Sequence, residues 1–201
     1  MRLRARGYTM VELMMALGIL AIGVSGIIAM HKVTVAANQH AKNLAVASHI
    51  AQAWQEQLAA DAARWNHPSA KKGSSDLADT TWLKEVGNKF EWKQPKYDET
   101  LKFGPAFDAL GNVVPAGSEA DAHYCTHVRF SWLYSDSAPT LGNGLIRAEV
   151  RVFWLREGEG TVDGKAVCDP DSPAKDVGIG EAVEHYHFVY KTSAIRQNTA
   201  S

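Results

Sequence analysis

Proline is missing from the first 67 residues of this 201-residue chain, and no glycine lies between Gly26 and Pro68. Without these two breakers a helix can run through most of that segment. Cysteine is scarce: only Cys125 and Cys168 occur. Two are too few for a disulfide-dense mini-scaffold and too few for a zinc site built from cysteine alone. An excess of one charge is also absent, since 21 Lys and Arg face 22 Asp and Glu for a formal net charge of −1. Nucleic-acid binders normally carry a net basic face, so nucleic acid is not expected as a partner. There is no nucleophile elbow, no phosphate-cradling glycine loop and no zinc-hydrolase helix. Ser, His and Asp occur without triad-like spacing, and the sequence gives no reason to expect an enzyme or a cofactor.

What is present is concentrated at the N-terminus. From Leu13 to Met30 the chain is apolar, with Ser25 its only conventional polar side chain. Extended back to Tyr8, the segment rises about 34 Å as a helix, enough to cross a bilayer core of about 30 Å. Arg2, Arg4 and Arg6 precede it, and no acid occurs before Glu12. Basic residues ahead of an apolar run keep that end in the cytoplasm. A cleaved secretory signal would be shorter and would end at a small-residue site. Here a helical pattern continues with no turn residue until about Asn66. A plain signal anchor leaves Glu12 unexplained, because a carboxylate in a membrane helix costs a few kcal/mol and usually has a partner.

The string Gly7-Tyr8-Thr9-Met10-Val11-Glu12, with its basic leader and its apolar helix, resembles the type IV prepilin signal. The resemblance implies that a membrane aspartic protease, the prepilin peptidase and N-methyltransferase, cuts after Gly7 and methylates the amine of Tyr8. The family most often has Phe where this chain has Tyr8. Glu12 becomes the fifth residue of the mature chain, where the family places its glutamate. There it can pair with the cationic terminus of a neighbouring subunit, a pairing that low dielectric makes strong and directional. The competing role for Glu12 is snorkelling to the cytoplasmic interface.

Beyond the apolar run, Ala47, Ile50, Trp54, Leu58, Ala62 and Trp65 recur at three- and four-residue steps. They form one stripe of a helix, with Gln52, Gln55, Glu56 and Arg64 off it. The pattern predicts one helix from about Tyr8 to Trp65, roughly 85 Å long. Thr81–Val86 reads as a short helix. Three later stretches alternate with period two: Val128, Phe130, Trp132 and Tyr134; Ile146 through Trp154; and Tyr186, Phe188 and Tyr190. These predict half-buried antiparallel strands, with Asn143-Gly144 as a hairpin signal between the first two. The expected fold is α+β and pilin-like, a long N-terminal helix packed on a small antiparallel sheet. The expected division is a leader at 1–7, a membrane and fibre-core half-helix at 8–30, an amphipathic half at 31–66, and a globular region at 67–201.

Residues Ala16–Gly26, the Ala-rich helix after them and the strand Arg147–Trp154 look most like minor pilins of the PilV type. Major pilins usually kink the apolar half with proline, which this chain lacks. Minor pseudopilins of type II secretion systems share the signal and are the alternative. The resemblance implies partners among other minor and major pilins, an inner-membrane assembly platform and the lipid bilayer. It places the globular region in the periplasm and then at the pilus and cell surface. In that oxidising compartment Cys125 and Cys168 are expected to pair. Closing about 44 residues would contribute roughly 4 kcal/mol; two buried thiols are the alternative. His123, Cys125, His127, His185 and His187 have strand spacing that could converge on a metal, but a disulfide would consume Cys125. Asp163, Asp169, Asp171 and Asp176 offer oxygen ligands for calcium without the EF-hand spacing. No metal site is assigned.

Overall fold

The structure is a computed structural model that describes residues 9–65, 77–86, 91–134, 144–156, 167–168 and 185–197. Helix α1 spans Met10–Ala62. Strands β1 (Ala106–Phe107), β2 (Tyr124–Tyr134), β3 (Leu145–Leu155) and β4 (Tyr186–Arg196) form one antiparallel sheet in the order β1-β2-β3-β4. The chain divides into two compact units, Met1–Asn43 and Leu44–Ser201.

In the first unit every described residue from Thr9 to Lys42 is exposed. Burial along α1 begins at Ala47, the first residue of the predicted stripe. In the second unit the predicted stripe is the buried one: Ala47, Ile50, Trp54, Leu58, Ala62 and Trp65 all join the core. They meet the inner face of the sheet, where β2 and β3 contribute Val128, Phe130, Ile146, Ala148, Val150, Val152 and Trp154. Alanine at 47, 51 and 62 lets the helix backbone approach the sheet closely. Trp54 is fully buried, edge-on to Trp82 at 5.3 Å and to Phe103 at 4.8 Å between ring centroids.

The helix ends three residues earlier than the periodicity predicts. After Ala62 the backbone tightens into i→i−3 hydrogen bonds, Arg64 to Asp61 and Trp65 to Ala62. Trp65 still reaches the core and packs edge-on against Trp132 at 5.6 Å. Asp61 supplies the anchor at this point. Its carboxylate accepts N–H groups from Thr81 at 2.6 Å, Trp82 at 2.9 Å and Leu83 at 3.1 Å. The expected helix at Thr81–Val86 shrinks to a 3-10 turn at Leu83–Glu85 on this clamp.

Two strand expectations need correction. β3 is buried on both faces, not one: Glu149, Arg151 and Phe153 are covered on the outer side as fully as Val150 and Val152 on the inner. A second cluster around Cys125, Cys168, Phe153, Val167 and Tyr186 covers part of that side. β4 turns the other face inward. Its register sets Val189 opposite Val152 and Ile195 opposite Ile146, so Phe188 and Tyr190 lie on the outer face. Gly144 sits where the chain enters β3, and a Cβ there would come within 2.4 Å of Trp65 Cζ2. Its need is close approach, while Asn143 and the rest of the predicted hairpin turn lie outside the described residues.

Candidate processing and assembly segment

The start of α1 is built from four residues. Thr9 stands just outside the helix, and its carbonyl accepts the amide hydrogens of Glu12 at 3.1 Å and Leu13 at 3.2 Å. Its side-chain Oγ1 also faces the Glu12 amide at 3.3 Å. Thr9-Met10-Val11-Glu12 therefore has the spacing of a capping box, with threonine as N-cap and glutamate three residues on. The Glu12 carboxylate also sits in the first turn, at the positive end of the helix dipole. This local role was readable as T-x-x-E in the sequence but is masked there by the membrane argument. Gly7 and Tyr8, the expected cleavage and methylation residues, lie outside the described residues.

Glu12 and Lys32 bracket a stretch free of Asp, Glu, Lys and Arg that rises about 30 Å, the thickness of a bilayer core. The polar side chains near it are satisfied by their own helix. Ser25 Oγ donates to the Ile22 carbonyl at 2.8 Å and Thr34 Oγ1 to the Met30 carbonyl at 2.9 Å. Such back-bonding removes hydroxyl donors from lipid at no cost in partners. Among the described residues α1 is the one helix long and apolar enough to cross a membrane.

Cys125 and Cys168 form a disulfide with a Cα–Cα distance of 5.0 Å. Both are fully buried, and Gln94 Nε2 donates to the Cys168 carbonyl at 3.1 Å. The bond ties β2 to the segment that precedes β4. The histidines do not converge. His127 lies on the outer face, where its Nδ1 is 3.0 Å from Arg151 Nη2, whereas His187 lies on the inner face beside Trp154. Burial, aided by the Arg151 charge, pushes the His127 imidazole down to about 3. His123 packs edge-on against Tyr124 at 4.7 Å. Among the described residues no group of three or more His, Cys, Asp or Glu is placed to hold a metal ion. Asp163, Asp169, Asp171 and Asp176, the proposed calcium loop, lie outside the described residues.

The outer face carries a polar network that period-two reasoning missed. Glu149 is fully buried and accepts from Arg129 Nε at 2.5 Å, from Arg147 Nη2 at 2.8 Å and from the Tyr190 hydroxyl. Burial pushes the Glu149 carboxyl up, but the Arg129 and Tyr190 hydrogen bonds and the two arginine charges outweigh it and hold the group below its ordinary value. Trp92 lies 4.6 Å from the Arg129 guanidinium and 4.5 Å from that of Arg151. Alternating Arg-x-Glu-x-Arg on β3 was the available signal.

Residues 2–28 match the family model for the prokaryotic N-terminal methylation motif. No curated protein and no solved structure matches the chain. A methylation motif at the head of an exposed apolar helix, in a chain with a helix-on-sheet core, supports a place for this protein in the type IV pilin-like family, whose members prepilin peptidase processes.

Proposed function

We propose that this chain is a minor pilin of a type IV pilus. The observation that carries the reading is the exposed apolar surface of α1 from Met10 to Val35, headed by one acid and overlapping the methylation motif at 2–28. In this reading the leader arginines hold residues 1–7 inside the cell. The peptidase cuts after Gly7 and methylates Tyr8. The helix stores the subunit in the inner membrane, with the sheet-bearing region in the periplasm. Glu12 then pairs with a neighbour's terminal amine as the assembly platform draws the helix out of lipid and into a fibre core with other minor and major pilins. Burial of those side chains against neighbouring helices replaces their lipid contacts, so packing and the ion pair set the register.

A minor pseudopilin of a type II secretion system is the second reading, because the match at 2–28 is to a methylation motif alone and does not separate the two. The absence of proline throughout Met10–Ala62 speaks against a major pilin. Deleting the gene separates the two. Loss of surface fibres with secretion intact supports the pilus assignment. Intact fibres with loss of an exported enzyme supports the pseudopilus.

A further inference from the structure

We propose that Lys32 and His31 bind the phosphate of an anionic phospholipid where α1 leaves the membrane on its periplasmic side; this rests on the reading of α1 as a membrane helix. Lys32 is the first charged residue after Glu12, about 30 Å along the helix axis. From Leu13 to Gln55 there is no Asp or Glu, while His31, Lys32, His40, Lys42 and His49 all fall in that stretch. The nearest acids on the helix, Glu12 and Glu56, lie roughly 30 Å and 36 Å from Lys32 along the axis, far beyond the reach of an i, i+4 pair. His31 and Lys32 are both exposed, and neither makes a hydrogen bond or ion pair with the described residues.

The hydroxyls nearby offer no competing donor, since Ser25 and Thr34 bond back to the Ile22 and Met30 carbonyls. That leaves the Lys32 ammonium, with three donors, and the His31 ring, which keeps an N–H donor in either protonation state. Val33 and Val35 continue the exposed apolar surface past Lys32. The four-carbon stem of Lys32 can therefore lie along that surface while its ammonium stays in the headgroup layer. Charge selects the lipid. The phosphate of phosphatidylcholine is already balanced by its own choline, whereas that of phosphatidylglycerol is not, so a basic residue at the surface favours the anionic lipid.

The test uses the full chain in phosphatidylcholine vesicles, with spin-labelled phosphatidylglycerol or spin-labelled phosphatidylcholine as the probe. Flotation reads whether the chain enters the bilayer, and electron paramagnetic resonance reads how much of each probe the helix holds. Arg2, Arg4 and Arg6 favour the same lipid at the opposite surface, so the quantity read is the difference between parent and variant. Lys32→Gln should cut the preference for phosphatidylglycerol by about fivefold, and adding His31→Ala should cut it further. Lys32→Arg should keep most of it. Lys42→Gln, about 15 Å farther along the helix and beyond a Debye length of about 10 Å, should leave it unchanged. Equal lipid preference in the parent and the double variant, both floating with the vesicles, overturns the proposal and leaves the membrane reading standing. An equal fall with Lys42→Gln overturns it too, because the helix would then act as a diffuse basic rod. A parent chain that stays out of the bilayer overturns the membrane reading and the lipid site together.

Discussion

The Thr9 hydroxyl oxygen lies 3.3 Å from the Glu12 amide nitrogen, so the backbone of the residue proposed to register subunits is tied into the first turn of its own helix. The two roles separate by substitution. Glutamine keeps a side chain that can complete the capping box and removes the charge; alanine removes both, while the backbone amide at position 12 still reaches Thr9 in either variant. Both variants should still be processed. Both should fall by about an order of magnitude or more in sheared fibres, because a desolvated charge loses its partner. Normal incorporation of Glu12→Gln alongside failure of Glu12→Ala would assign the residue to capping alone.

Asp61 holds three N–H groups at the start of the 3-10 turn. Asp61→Ala leaves those donors buried without an acceptor. The expected loss is about 2–4 kcal/mol, read from the midpoint of urea unfolding. A loss below about 1 kcal/mol would mean that water replaces the carboxylate.

His127 makes stability depend on pH. Its folded value is pushed down to about 3 by burial and by Arg151, from an ordinary 6.5. Above 6.5 both states are neutral at this site and the contribution is fully present. As pH falls the unfolded chain takes up the proton first, so stability drops by about 1.4 kcal/mol per pH unit toward 3. Between pH 6 and 4.5, before most carboxylates titrate, His127→Gln should flatten that slope. An unchanged slope in the variant would contradict the assignment.

Gly144→Ala forces a methyl group to within 2.4 Å of the Trp65 ring. Overpacking of this kind costs about 1–3 kcal/mol. A thermal melt of the variant should fall accordingly, and Trp65→Leu in the same chain should recover part of the loss.

The helix stripe and the sheet partners were legible because each obeys a single period, 3.6 for Ala47 through Trp65 and 2 for Ile146 through Trp154. The facing of β4 was not, because Phe188 and Tyr190 look like core while the smaller Val189 and Ile195 pack inward. Register with β3, a long-range property, decided it. The double burial of β3 was hidden for a related reason: arginine and glutamate read as solvent-facing until Glu149 meets Arg129, Arg147 and Tyr190 across three strands. Residues 91–123 gave no period at all, and they fold on side-chain-to-backbone bonds. Asp108, for example, accepts the amides of Leu110 and Asn112 at 2.8 Å each. The N-terminal segment was the most legible part, since a charge inside an apolar run is informative without any structure.

Mass spectrometry of the N-terminal peptide, taken from protein extracted from membranes, tests the central claim most directly. The expected peptide begins at Tyr8 and is heavier by one methylene on its amine. A chain that still begins at Met1, with no peptide starting at Tyr8, would contradict processing and with it the pairing role of Glu12.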